Sequence, residues 1–148
     1  MINCIFVRSR KDMEKISKSI SNPSIIISIR DPDKKKAYFA TNSNIVEVKY
    51  FAFDDWDVVD NTDNQLISDV QAKNIAEFVS KYSNMEESFD LYVNCEAGIS
   101  RSAGVAAAIS KVLTDDDNAF FRMYSPNMLV YRKIYNAMIN ELNQKRKV

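Results

Sequence analysis

The chain has 148 residues, 46% hydrophobic and 27% charged, which is typical of one soluble globular domain. Its 20 basic and 20 acidic residues cancel, so no net field favours nucleic acid, and no apolar run reaches the roughly 18 residues that a membrane span needs. The absence of histidine excludes histidine-based catalysis, and two cysteines are too few for a structural zinc site or a disulfide framework. We therefore expect no metal, no cofactor, no membrane partner and a reducing, cytoplasmic setting.

Four runs of apolar residues predict β-strands, and helical segments separate them. The first run is nearly all apolar, which favours burial on both faces and makes Cys4 an inert core residue. The charged turn from Arg30 to Asp33, after the second run, is expected to face solvent. This alternation predicts an α/β fold in a single domain over residues 1–148, with a mostly parallel sheet covered by helices on both faces. The four runs are Ile2–Val7, Ile25–Ile29, Ile45–Phe53 and Phe89–Val93.

Apolar residues at helical spacing predict the segments between and after the strands. A capping-box pattern at Ser9 and Asp12 precedes the first helix. Ser125-Pro126 is expected to supply the N-cap and the first turn of the last helix. The buried stripe of that helix is predicted to be Met128, Tyr131, Ile134, Tyr135, Met138 and Leu142. The other predicted helices are 67–82, the segment from Arg101 to about Leu113, and a short helix through Phe120-Phe121.

The segment from Asn94 to Ser102, Asn-Cys-Glu-Ala-Gly-Ile-Ser-Arg-Ser, follows the fourth apolar run and precedes a run of small residues. This order predicts a strand, a tight loop and a helix. The backbone N–H groups of such a loop and the helix N-terminus form a nest for a tetrahedral anion, and their positive field favours the thiolate of Cys95. The guanidinium of Arg101 supplies paired donors that match phosphate oxygens. A thiolate beneath a bound phosphate is placed for nucleophilic phosphoryl transfer.

These residues carry a family resemblance. Cys95 to Arg101 matches the Cys-x5-Arg signature of the cysteine-dependent protein tyrosine phosphatases, and Ser102 matches the Ser/Thr that follows the arginine. From Ile25 to about Asn127 the chain resembles the small dual-specificity-type phosphatases, most of all their compact bacterial and viral members. The resemblance implies that Cys95 is the nucleophile, that Arg101 and the loop amides bind phosphate, and that Ser102 hydrogen-bonds to the sulfur.

The resemblance also predicts the phosphate-binding loop. Gly98 gives the tight backbone the freedom it needs, and the side chain of Glu96 is expected to face solvent. Asn94 departs from the pattern, because the family usually has histidine there. Asparagine can still donate a hydrogen bond to the loop but can carry no charge. The predicted substrate-binding residues are Glu96, Ala97, Gly98, Ile99, Ser100 and Arg101.

Three aspartates after the third apolar run are candidates for the general acid. With no histidine in the chain, a carboxylate is the natural group to protonate the leaving oxygen and later to activate water. The Phe-x-Asp pattern that the resemblance implies places this acid at Asp55. Asp54 is its neighbour and rival, and Asp57 loosely resembles the Trp-Pro-Asp loop of larger tyrosine phosphatases, without the proline. Trp56 is expected to be a core anchor.

Together these observations predict a protein tyrosine phosphatase, with phosphoserine and phosphothreonine as further substrates, that forms a cysteinyl-phosphate on a phosphorylated protein substrate. One alternative is a phosphate-recognising binding module with little turnover, a pseudophosphatase. Another is the same chemistry on an RNA 5′-phosphate or a phosphoinositide, against which the neutral net charge and the absence of lysine from the loop argue. A sulfurtransferase-like or arsenate-reducing use would normally need a further thiol, for which Cys4 is a poor candidate.

Overall fold

Four parallel strands form one sheet at the centre of the protein. The structure is a computed structural model, and it describes residues 1–60 and 62–146. The predicted domain of 1–148 thus includes positions 61, 147 and 148, which lie outside the described residues. The strands are β1 (Ile2–Ser9), β2 (Ser24–Arg30), β3 (Ile45–Ala52) and β4 (Phe89–Cys95). Their order is β1-β4-β2-β3, so the strand that ends at Cys95 lies between β1 and β2. Because all four strands are parallel, the loops that follow them meet at one edge of the sheet.

Helices cover both faces of this sheet, which confirms the predicted fold class. One face carries α1 (Arg10–Ile16) and a 3₁₀ helix (Ser17–Ser19), and there Met13 packs with Ile20 and Ile26. The other face carries the larger core, to which Ile25 and Ile27 of β2 contribute. Since neighbouring residues of a strand point to opposite faces, the unbroken isoleucine run of β2 supplies both cores. The remaining helices are α2 (Asp69–Ser83) between β3 and β4, and then α3 (Arg101–Thr114), α4 (Asn118–Met123) and α5 (Met128–Arg146) after β4.

Helix α3 approaches α5 closely because it is built from small residues. Ala103 and Ala106 to Ala108 are fully buried. A Cβ atom at Gly104 would lie only 2.7 Å from the backbone oxygen of Asn127, just before α5. This contact fixes the start of α5 beside the start of α3. Within the described part of the chain, every helix is too short or too polar to cross a bilayer.

The first strand differs from the prediction. Strand β1 lies at the edge of the sheet and is mostly half-buried or exposed, with an irregular register between Ile2 and Ile5. Cys4 is exposed, so its assignment as a core residue is wrong. The apolar composition of β1 favours burial on both faces, but an edge strand has a neighbour on one side only.

The start of the last helix also differs from the prediction. Helix α5 begins at Met128, and the Asn127 side-chain oxygen accepts a hydrogen bond from the Val130 backbone nitrogen at 3.1 Å. Asn127, and not Ser125, is therefore the N-cap. The predicted stripe is wrong in part, since Met128 and Leu142 are 36% and 39% exposed. The buried residues of α5 are Leu129, Val130, Ile134 and Met138, because the helix packs against both α2 and α3.

Candidate active site

The thiol of Cys95 lies at the floor of the loop that connects β4 to α3. Cys95 is the last residue of β4 and is only 2% exposed. Its Sγ accepts a hydrogen bond from the backbone nitrogen of Gly98 at 3.3 Å and lies 3.1 Å from the Ser102 hydroxyl. Ser102 is fully buried in the first turn of α3. The sulfur thus sits between a backbone N–H and a hydroxyl, and both groups can donate to a thiolate.

Gly98 allows the loop to turn above the sulfur. Its φ of +70° lies in the left-handed region, which glycine adopts without steric penalty. A Cβ atom at this position would lie 2.5 Å from the Ser9 backbone nitrogen and 2.6 Å from the Arg8 carbonyl carbon. No side chain fits that space, so this glycine holds the loop against the end of β1.

Arg101 opens α3 with its guanidinium fixed and partly unpaired. The residue is 5% exposed. Its Nη1 donates to Asp31 Oδ1 at 2.7 Å and to the Phe53 carbonyl at 2.8 Å. Its Nε is buried and has no hydrogen-bond partner among the described residues. A buried donor without an acceptor is unfavourable, and a phosphate oxygen is the kind of group that would satisfy it.

The three candidate aspartates occupy different environments. Asp55 Oδ1 accepts hydrogen bonds from the Ser100 hydroxyl at 2.8 Å and from the Asn127 amide at 2.9 Å, which attaches this carboxylate to the loop. Asp54 faces away, since its carboxylate accepts from the Gln65 backbone nitrogen at 2.7 Å. Asp57 is exposed and makes no side-chain hydrogen bond within the described residues. Of the three, Asp55 is the one that the fold brings to the loop of Cys95.

Comparison with known proteins finds matches among solved structures only. No family model and no curated protein sequence matches the chain. The crystal structure of human tyrosine phosphatase-like serine/threonine/tyrosine-interacting protein has a TM-score of 0.61 at 17% identity, with 93% of each chain covered. That of PTPMT1 in complex with PI(5)P has a TM-score of 0.55 at 13% identity, covering 96% of this chain and 94% of PTPMT1. Human DUSP28 has a TM-score of 0.55 at 12% identity, covering 95% of this chain and 94% of its own.

The chain has the fold of the dual-specificity-type phosphatases. The fold that the sequence motif implies is thus confirmed.

Within this phosphatase fold, two residues that the sequence interpretation missed hold the site together. The expectation that the turn after β2 faces solvent is wrong for Asp31, because its carboxylate binds Arg101. Asp31 directly follows the buried strand β2, but its partner depends on β2 lying beside β4, which the sequence does not reveal. Asn127 donates to Asp55 and to the Trp56 carbonyl, at 3.2 Å for the latter, and its backbone nitrogen donates to the Ser100 carbonyl at 3.0 Å.

Two further expectations about side chains near the loop are wrong. Glu96 does not simply face solvent, because its carboxylate lies 3.2 Å from Arg10 and 3.9 Å from Lys34 and is 22% exposed. Trp56 is not a core anchor but is 38% exposed, with its indole N–H donating to Asp60 at 3.2 Å. Both side chains lie in loops at the strand ends, where local composition says little about burial. Of the other predicted loop residues, Ala97 and Ile99 are exposed and Ser100 is half-buried.

Asn94 makes no hydrogen bond to the loop, contrary to the expectation. The residue is fully buried, and neither its amide nitrogen nor its amide oxygen has a partner among the described residues. Since Val93 and Cys95 belong to the larger core, alternation along β4 turns Asn94 toward the α1 face. The position that usually holds histidine in the phosphatase pattern is here filled by an amide that makes no hydrogen bond to the described residues of the loop.

No group of three or more potential metal ligands occurs among residues 1–60 and 62–146. A groove of about 470 Å³ between β3 and α2 has residues such as Glu47 and Lys81 in its lining and none of the residues around Cys95. The Cys95 loop is therefore separate from this groove.

Proposed function

We propose that this chain is a cysteine-dependent phosphatase that hydrolyses phosphotyrosine in proteins, with phosphoserine and phosphothreonine as further substrates, and uses no metal. The observation that carries the proposal is that the two ends of one loop hold the buried thiol of Cys95 and the unpaired Nε of Arg101. A phosphoryl group bound above the sulfur would satisfy this donor. It would also meet the backbone N–H groups of the loop, which stabilise charge on the equatorial oxygens.

In the first step, Cys95 Sγ attacks phosphorus. The S–P bond forms while the bond from phosphorus to the leaving oxygen breaks, and the Asp55 carboxyl gives its proton to that oxygen. Asp55 Oδ1 already accepts two hydrogen bonds, so Oδ2 is the oxygen that is free to carry the proton. The dephosphorylated tyrosine leaves as a neutral phenol.

In the second step, water attacks the cysteinyl-phosphate. Asp55, now a carboxylate, takes a proton from the water, the S–P bond breaks, and its electron pair returns to sulfur. The N–H of Gly98 and the hydroxyl of Ser102 stabilise the returning thiolate. Inorganic phosphate is released, and the proton on Asp55 prepares the next cycle.

The covalent step is tested with Cys95→Ser, and Cys4→Ser is the matched control. Hydrolysis of p-nitrophenyl phosphate should disappear in Cys95→Ser and persist in Cys4→Ser, because Cys4 is exposed on the edge strand. Mass spectrometry of acid-quenched wild-type enzyme should detect phosphate on Cys95. Wild-type turnover by Cys95→Ser would rule out the mechanism.

The acid assignment is tested with three single variants, Asp55→Asn, Asp54→Asn and Asp57→Asn. Asp55→Asn should slow phenyl phosphate by roughly 10²-fold or more and slow p-nitrophenyl phosphate much less, since a good leaving group needs little protonation. The other two variants should retain the wild-type ratio of the two rates. If Asp54→Asn or Asp57→Asn changes that ratio instead, the acid is misassigned.

The substrate is tested with matched phosphotyrosine, phosphoserine and phosphothreonine peptides and with PI(5)P vesicles, because PTPMT1 shares the fold and is described in complex with PI(5)P. Phosphotyrosine should give the highest kcat/KM. A higher value for PI(5)P would instead support the lipid alternative.

The binding-module alternative has one observation in its favour: the human protein with this fold at a TM-score of 0.61 is named phosphatase-like and interacting. If it held here, wild-type protein would bind phosphopeptide without releasing phosphate. A single measurement of phosphate release by the wild type distinguishes the two functions.

A further inference from the structure

Charged residues around the Cys95 loop separate into two sets of opposite sign. Residues 8–15 and 30–36, at the ends of β1 and β2 and beyond them, contain eight Lys/Arg against four Asp/Glu. Residues 50–72, which lead from the end of β3 into α2, contain six Asp and no Lys or Arg. All three segments lie at the carboxyl edge of the sheet, where Cys95 also lies.

The basic set contacts the loop at the residue after the nucleophile. We call Arg10, Lys34, Lys35 and Lys36 the basic surface. Arg10 donates from its backbone nitrogen to the Glu96 carbonyl at 3.2 Å, and its guanidinium lies 3.2 Å from the Glu96 carboxylate. Lys34 shares that carboxylate at 3.9 Å. Lys35 and Lys36 are exposed, and no carboxylate of the described residues pairs with them.

The acidic set contacts the other end of the loop. We call the exposed residues Asp57, Asp60 and Asp63, which follow Asp55 along the chain, the acidic loop. The Asp55 carboxylate accepts a hydrogen bond from the hydroxyl of Ser100 at 2.8 Å, and Ser100 lies five residues after Cys95. The next acid, Asp69, has Lys133 at 2.9 Å, but within 1–60 and 62–146 the three carboxylates of the acidic loop have no such cation. Arg101 contacts both segments, since its Nη1 donates to Asp31 at 2.7 Å and to the Phe53 carbonyl at 2.8 Å, and its unpaired Nε is the donor that a phosphate would satisfy.

We propose, building on the phosphatase function above, that the substrate is a protein segment of mixed charge, with acidic residues on one side of the phosphorylated residue and basic residues on the other. The acidic side would lie against the basic surface and compete with Glu96 for Arg10 and Lys34. The basic side would lie against the acidic loop and supply the cations that its carboxylates lack. Complementary charges of this kind increase association rates and exclude wrong partners.

The acidic loop also argues against an anionic membrane or an RNA end as the substrate. Both present negative charge in every direction around the reacting phosphate. Carboxylates of the acidic loop would be brought against that charge without any compensating cation, and like charges in contact are repulsive. A peptide differs because its charge can change sign within a few residues.

The test uses the full-length protein and four peptides with one central phosphotyrosine. Each peptide carries two glutamates or two lysines before the phosphotyrosine and two glutamates or two lysines after it. The four combinations are two mixed peptides of opposite order, one uniformly acidic peptide and one uniformly basic peptide. One of the mixed peptides should exceed both uniform peptides in kcat/KM by roughly 10-fold at low salt, since each exposed ion pair adds a modest factor. This advantage should fall toward one in high salt because the charges are screened. In Lys35→Glu/Lys36→Glu the favoured mixed peptide should lose its advantage, whereas the exposed Lys18→Glu should keep it.

p-Nitrophenyl phosphate, which has no flanking charge, separates this inference from the proposed function. If this ester is not cleaved, the phosphatase proposal fails. If it is cleaved and the four peptides react equally, or the uniformly acidic peptide is best, the mixed-charge inference is overturned. Faster cleavage of PI(5)P vesicles than of every peptide would also overturn it.

Discussion

Asn127 joins three parts of the site, and two substitutions at this residue separate its roles. Its side-chain oxygen caps α5 through Val130, while its amide nitrogen donates to Asp55 and to the Trp56 carbonyl. Asn127→Ala removes both functions. Asn127→Asp keeps an oxygen for the cap but replaces the donor with a second carboxylate that faces Asp55 at hydrogen-bond distance.

The expected stability changes follow from these contacts. Loss of an N-cap costs about 1 kcal/mol, and loss of buried side-chain hydrogen bonds costs about 1–2 kcal/mol more. Asn127→Ala should therefore lose roughly 2–3 kcal/mol, which lowers Tm by about 4–12 °C for a chain of this length. Asn127→Asp should lose less, because aspartate is a good N-cap and its charge is favourable at a helix N-terminus.

The expected catalytic changes run in the opposite order. In Asn127→Asp the carboxylate of Asp55 should be pushed away from its position, which should slow phenyl phosphate by about 10–100-fold. The rate on p-nitrophenyl phosphate should change much less. Urea unfolding and the ratio of the two ester rates measure the two effects separately. Equal stability of the two variants would refute the cap assignment, and equal slowing of both esters would refute the link to Asp55.

Three further predictions concern other parts of the fold. Gly98→Ala should cost more than about 2 kcal/mol, from left-handed strain and the clash with Ser9, and should abolish ester hydrolysis; wild-type activity would contradict the loop geometry. Tyr82→Phe should cost about 1–2 kcal/mol at pH 7 by removing the 2.5 Å hydrogen bond to Glu47. That hydrogen bond lowers the pKa of Glu47, whose ordinary value is 4.5. The loss of unfolding free energy in Tyr82→Phe should therefore be complete above pH 4.5 and should shrink at lower pH, as the carboxylate becomes protonated. A loss that does not change with pH in urea unfolding would contradict this. Asp115→Gly should stabilise the chain by a few tenths to about 1 kcal/mol, since φ is 59° there, and a lower Tm would contradict this.

The pattern of neighbouring residues in the sequence correctly predicted the buried strands and helices in which that pattern is unbroken. The isoleucine run of β2 and the small residues after Arg101 are such cases, because an unbroken apolar run is typical of an interior strand and small side chains are typical of close helix packing. The order strand, loop and helix around Cys95 follows from the same signals. The part of the candidate site that lies in one continuous segment, from Cys95 to Ser102, could therefore be predicted from the sequence.

Contacts that depend on strand order were not accessible. Asp31 reaches Arg101 because β2 lies beside β4, and β1 is half-exposed because it lies at the edge. Neither fact is encoded by the residues of those strands alone. Asn127 reaches Asp55 only because α5 starts beside α3, which depends on the absence of a side chain at Gly104. A residue's partner across the fold is a property of the packing, and composition does not reveal it.

The clamp that Asp31 and the Phe53 carbonyl form on Arg101 has a consequence for small inhibitors. Immobilising a free arginine side chain costs up to about 2 kcal/mol of rotamer entropy. Here that entropy is lost when the protein folds, before any oxyanion arrives. Binding of a rigid ion such as vanadate therefore carries no further entropy cost for ordering Arg101. Its affinity should depend on how well its oxygens match the donors of the loop.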